Sequence, residues 1–241
     1  MLQALASGKA GRLPGVAETI SWRNALRMSE DLLTAAVFGR LIYLEGPVLW
    51  RILRQTFRSL LPEYRVAELV NVEFWPRWDE SGETGRTVEP DVFLELHVGD
   101  PSTSISIIVE AKFGTSPTQY AEQWLRQWSS YHASNQDDGV RVFLAAIGGM
   151  GNNIEATVER LVGKIASEGH EIDVVAAGWD GLLDALLDER VSASRSAARI
   201  IDDMVIALGM AGYQHLMPLG NLGWRQRNWH SRASDVLKDL T

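Results

Sequence analysis

Apolar positions along the chain change their period partway through. In SEDLLTAAVFGRLIYL (29–44), Leu33, Val37 and Leu41 recur at helical spacing, and Ser29 stands where a helix N-cap belongs. Gly46-Pro47 breaks that helix. A second is predicted over VLWRILRQTFRSLL (48–61), with Leu49, Trp50, Leu53, Phe57 and Leu60 on one face and Arg51, Arg54 and Arg58 on another. From residue 66 the texture becomes that of strands: VAELVNVEFWPRW (66–78), EPDVFLELHV (89–98) and IIVEAKFG (107–114). The turn-rich DESGETGRT (79–87) separates the first two, and GDPSTS (99–104) joins the last two. A helix is predicted over 117–133, with Ser116 as N-cap, Pro117 at the first helical position and Gln119 completing a capping box. An apolar strand (140–147), a glycine turn, a helix (153–167), a strand (171–179) and helices near 180–188 and 193–209 follow. The order is one of helices, a three-strand meander, then alternating helix and strand. It predicts the α/β class, a mixed sheet with helices packed on it.

Composition narrows the picture. A chain of 241 residues with 46% hydrophobic content can build one large domain with a real core. Residues 1–20 read as a loosely ordered N-terminus, 21–212 as the folded domain, and 213–241 as a Trp/Arg-rich tail whose WRQRNWHSR (224–232) fits no predicted element. No apolar run reaches the roughly 18 residues of a membrane span, and MLQALASGKAGRLPGVAET is too broken by Gly, Pro and charge to suit a signal peptide. The expected location is the cytoplasm. With no cysteine there is no disulfide, thiolate metal site or cysteine nucleophile, and the five histidines lack close metal-ligand spacing. A net charge of −8 means that any nucleic-acid binding must use a local basic patch, a metal ion or a partner.

The candidate chemistry lies in the meander. Side chains alternate faces along a strand, so Glu110 and Lys112 share one face while Ile107, Val109, Ala111 and Phe113 take the other. Asp91 shares its face with Phe93, Glu95 and His97. Antiparallel pairing of the two strands puts Asp91 beside Glu110. Two adjacent carboxylates repel unless a cation sits between them. With a neighbouring backbone carbonyl, at Glu110 or Ala111, they form an oxygen ligand set suited to Mg²⁺ or Mn²⁺. Such an ion activates water and polarises a phosphoryl oxygen, and an ammonium two residues along can orient that water or stabilise developing charge. An ion-paired, solvated strand face is the bland alternative for the same residues.

Pro90-Asp91 followed by Glu110-Ala111-Lys112 resembles the signature of the PD-(D/E)XK nuclease superfamily. The resemblance covers roughly residues 29–147 and includes the element order of the family's restriction-endonuclease-like core, αβββαβ, here followed by extra C-terminal helices. It implies that Asp91 and Glu110 bind the divalent metal, that Lys112 assists the attacking water, and that Glu30 on the first helix completes the site. Gln119, Gln123, Gln127 and Tyr131 form one stripe on the helix after the motif strand. QWSSY (127–131) resembles the Q-x-x-x-Y motif of the RecB-like branch, which implies that Gln127 supports the site, with Gln123 as its rival and Tyr131 as a DNA contact.

The expected activity is therefore metal-dependent hydrolysis of phosphodiester bonds, most naturally in DNA. A role in defence enters by analogy alone. The competing expectation is a catalytically silent, nuclease-like binding or assembly subunit, with a protein partner or a second copy. The Arg51, Arg54 and Arg58 stripe suits phosphate contacts as well as a solvated face. RQRNWHSR (225–232) suits stacking on a single strand or docking to a protein. The IGGMGNN turn (147–153) lacks the Lys-Ser/Thr of a P-loop and reads as a tight strand-to-helix connection.

Overall fold

The computed structural model describes residues 4–5, 7, 9–11, 21, 24–25, 29–80, 86–135 and 139–214. Most of the N-terminal segment, the tip of the 79–87 loop and the Trp/Arg-rich 224–232 stretch lie outside the described residues. The elements are α1 (Glu30–Leu41), α2 (Gly46–Thr56), β1 (Ala67–Phe74), β2 (Trp78–Asp79), β3 (Thr87–Val88), β4 (Val92–Val98), β5 (Thr103–Ala111), α3 (Ala121–Ser134), β6 (Arg141–Ile147), α4 (Ile154–Ser167), β7 (Val174–Ala177), α5 (Trp179–Ser192) and α6 (Arg195–Ala211).

Five strands form one mixed sheet in the order β1-β4-β5-β6-β7. The meander strands pair antiparallel, and β5, β6 and β7 run parallel through right-sized helical crossovers. The chain is thus α/β, with helices on both faces of the sheet. On one face Val92, Leu94, Ile107, Val109, Phe143 and Val175 pack under α1, α2, α5 and α6. On the other, Leu144 and Ala146 pack under α3 and α4. Covering both faces explains why β5 is a near-continuous apolar run, buried from Ile105 through Ala111. Among the described residues no helix is long and apolar enough to cross a membrane.

Several boundaries move from their predicted places, each for a local reason. The predicted 66–78 strand splits at Trp75, which adopts a left-handed φ of 50° and donates its N–H to Asp91 O at 3.1 Å. Pro76 follows and cannot donate to a ladder. The helix predicted from 117 begins at Ala121, because Thr118 and Gln119 donate their backbone N–H groups to Gly149 O instead of opening a turn. The predicted capping box does not form; Tyr120 is the N-cap and contributes no side-chain hydrogen bond. Leu60, placed by periodicity on the buried face of α2, is exposed, since α2 stops at Thr56 and the backbone turns left-handed at Arg58 and Ser59.

Candidate active site

The register of β4 on β5 builds the site. Val92 pairs with Val109 and Phe93 with Ile108, and Asp91 N donates to Val109 O at 3.1 Å. Asp91 therefore stands just ahead of β4, beside Glu110 at the carboxyl end of β5. Its Oδ2 accepts from Ala111 N–H at 2.7 Å, while Oδ1 accepts no hydrogen bond from the described residues. Glu110 faces α3 and is 1% exposed, so the solvated-face alternative does not describe it.

Three donors hold Glu110. Gln123 Nε2 reaches Oε1 and Gln127 Nε2 reaches Oε2, each at 2.6 Å, and the Lys112 ammonium also contacts Oε1. The two glutamine candidates are not rivals, because they lie one helical turn apart and grip opposite oxygens of one carboxylate. Gln127 is fully buried, and its Oε1 has no partner among the described residues. Leaving such an acceptor bare costs about 1–3 kcal/mol, so the amide orientation is set by its donation to Glu110.

Lys112 Nζ sits at the centre of the cluster, within 3.2 Å of Glu30 Oε1 and 3.1 Å of Ala111 O, besides Glu110. Glu30 is the first residue of α1. Ser29 Oγ caps that helix by accepting from Leu32 N–H, and Glu30 Oε2 accepts from Phe113 N–H at 2.7 Å. The first turn of α1 is thereby tied to the residue that follows Lys112. The carbonyl facing the cluster is that of Ala111. The Glu110 carbonyl, the other expectation, points away and accepts from Gln119 Nε2 at 3.2 Å. Gln119 also donates to Gly148 O at 3.2 Å and accepts from Trp124 Nε1 at 2.8 Å. It is a buried splint between the ends of β5 and β6, a role that no sequence signal distinguishes from helix capping.

Electrostatics follows from this crowding. Burial, followed by the charge of Glu110, pushes the Asp91 carboxyl up to about 7, against the opposing Ala111 N–H and Lys112. Burial alone would lower Lys112, but Glu110, Glu30 and Asp91 outweigh it and raise the ammonium above its usual value. Among the described residues no three acidic or histidine side chains form a ready-made metal cage. The donor set at hand is two carboxylates and one carbonyl, all oxygen, and a cation there would offset the burial and the Glu110 charge that favour the protonated Asp91 carboxyl. That chemistry fits a hard divalent ion completed by water.

The remaining candidates separate. Tyr131 is buried between Phe93 and Trp78 and hydrogen-bonded to Ser106 at 2.9 Å, a core position away from the cluster. Arg51 makes a two-pronged ion pair with the buried Glu189 on α5, at 2.6 and 3.1 Å. Arg54 is held by Leu61 O and Glu63. Arg58 alone of the three lines a cleft next to the cluster.

The fold and site together define an α/β protein with a mixed five-strand sheet and an Asp–Glu–Lys cluster braced by two glutamines at its carboxyl edge. An uncharacterized protein of Pasteurella multocida (strain Pm70) is 29% identical to this chain over 205 residues, which span 82% of this chain and 72% of the relative. No family model matches the chain, and no solved structure matches it.

Proposed function

We propose that this protein is a metal-dependent nuclease with a restriction-endonuclease-like core, in which α1, the meander β1-β4-β5, α3 and β6 supply the αβββαβ order. The carrying observation is that Lys112 Nζ bridges Glu110, Glu30 and the Ala111 carbonyl, with Asp91 near enough for its charge to act on theirs. Asp91, Glu110 and Ala111 O hold Mg²⁺ or Mn²⁺, which when bound supplies a polarised phosphoryl oxygen and an acidified water. Lys112, kept charged by its neighbours, orients the attacking water and faces the charge that builds on the phosphate. The water gives up a proton to solvent as its oxygen bonds to phosphorus, the bond from phosphorus to the leaving sugar oxygen breaks, and that oxygen takes up a proton from solvent, so that one water is added across the bond. Gln123 and Gln127 fix Glu110 so that its oxygens do not swing away between turnovers.

DNA is the proposed substrate and the cytoplasm the proposed location. The test is a panel of single-stranded, duplex, nicked and branched DNA, plus RNA, incubated with Mg²⁺ or Mn²⁺. Cleavage that needs the metal and stops with EDTA is expected. One observation favours the silent-subunit alternative: Glu110 already has three donors and is satisfied without a cation. That alternative predicts no cleavage on any substrate, together with no Mn²⁺ binding by calorimetry and a stable complex with a protein partner or a second copy.

A pH signature follows. The Asp91 carboxyl, at about 7 in the folded chain, lies above the roughly 3.9 of an unfolded aspartate. Between these values the native state holds a proton that the unfolded chain has lost. The Asp91 contribution to stability is then greatest at low pH, falls as pH rises through that window, and is flat above it. A divalent ion binds the ionised form. The rise in Tm on adding Mn²⁺ is therefore expected to be larger near pH 8 than near pH 5.5, measured by scanning calorimetry. Equal rises at both would remove Asp91 from the ligand set.

A further inference from the structure

The sheet edge that carries the cluster continues past β5. There the residues after Lys112 (Gly114 and Thr115), the Gly148–Ile154 turn, Trp179 and Tyr213 surround a cleft of about 490 Å³, with Arg58 at its rim. The cleft is coupled to the cluster by contact. Trp179 Nε1 donates to Lys112 O at 2.9 Å, Tyr213 OH accepts from Gly114 N–H at 2.9 Å, and a Cβ at Gly149 would stand 2.5 Å from Lys112 Cβ. Its volume falls within the range of about 300–1,000 Å³ usual for ligand pockets, room for a nucleotide unit. It lies at the carboxyl ends of parallel strands, where open α/β sheets receive ligands.

Arg58 stands out by its backbone. Its N–H donates to Gln55 O at 3.1 Å and that of Ser59 donates to Arg54 O at 2.8 Å, which closes the end of α2. This is the left-handed closing position that glycine normally fills, yet the chain puts Arg58 there at φ 50°. Its ion pair with Glu155, at 2.9 Å, is 72% and 78% exposed on its two sides. A pair so exposed contributes little to stability and exchanges readily for another anion. Asp180 also lines the cleft and disfavours a phosphate beside it, while Glu155 is the anion that an arriving phosphate displaces from Arg58.

We propose that the nucleic-acid strand leaving the Asp91–Glu110–Lys112 cluster runs into this cleft and that Arg58 receives one of its phosphates, a placement that rests on the nuclease function proposed above. The affinity of a labelled single-stranded DNA oligonucleotide, measured in Ca²⁺ to withhold cleavage and over a range of salt, tests it. Arg58→Gly is expected to raise Tm by about 2–4 °C, because glycine suits the left-handed position. The same variant is expected to weaken binding about tenfold and to reduce the dependence of log affinity on log salt by about one. Arg58→Lys recovers most of the affinity without the gain in Tm. Arg58→Gly with unchanged affinity and salt slope overturns the proposal while leaving the nuclease function standing. Failure of the unaltered protein to bind any oligonucleotide overturns both. Tight binding of a mononucleotide with none of the oligonucleotide overturns the strand path.

Discussion

Lys112→Ala is expected to lower metal-dependent cleavage by roughly 10²–10⁴-fold without lowering affinity for the metal. The ammonium now neutralises part of the negative charge of Glu110 and Glu30, which it touches, and of Asp91, which stands near enough to raise its pKa. Removing it leaves those carboxylates less compensated, and the cheapest compensation is a cation. Mn²⁺ affinity by calorimetry should hold or tighten in Lys112→Ala, whereas Asp91→Asn should weaken it and also abolish cleavage. The pair of measurements separates a lysine that acts on the water or the phosphate from one that only neutralises the site. Lys112→Ala cleaving at the unaltered rate would exclude the catalytic role. Loss of metal affinity in that variant would mean that the lysine holds the carboxylates in place and nothing more.

The central geometry was legible in the sequence because it follows from local rules. Period-two alternation groups Glu110 with Lys112 and Asp91 with Phe93, and antiparallel pairing sets Asp91 beside Glu110; the observed register, Val92 on Val109, is the one that does so. Ser29 marked the start of α1, which delivers Glu30. What was not legible depends on partners distant along the chain. The Arg51, Arg54 and Arg58 stripe reads as a phosphate contact or a solvated face, and only the fold shows Glu189, 138 residues away, against Arg51. The i, i+4 spacing put Gln119, Gln123, Gln127 and Tyr131 on one stripe, but spacing gives no depth. Gln123 and Gln127 reach Glu110, while Tyr131 lies one turn further down, in an aromatic core. Gln119 precedes the helix altogether, because Gly149 O draws the backbone N–H groups of 118 and 119 away from helical geometry.

The glycine turn after β6 reads in the sequence as a tight connection, and its geometry makes that a quantitative expectation about Gly148. At φ 69° Gly148 occupies left-handed space, and a Cβ there would lie 2.1 Å from Lys112 O and 2.8 Å from Trp179 Nε1, the two atoms that are hydrogen-bonded to each other at 2.9 Å. Neither can retreat cheaply: one is backbone next to the cluster, and the other belongs to a buried indole. Gly148→Ala is expected to cost about 3–5 kcal/mol, the sum of left-handed strain and overpacking, read from urea denaturation. Gly151 supplies the control. It has a similar φ of 73°, but its added Cβ would meet only Pro117 Cβ at 3.8 Å and Thr157 Oγ1 at 4.0 Å. Gly151→Ala carries the strain without the collision and should cost about 1–2 kcal/mol. The gap between the two variants measures how tightly the turn is locked onto the backbone of Lys112. Because that lock runs through the lysine's own carbonyl, residual Gly148→Ala protein should lose cleavage activity beyond its loss of folded fraction, and Gly151→Ala should not. Equal stability of the two variants would mean that the close approach at Gly148 does not constrain the site.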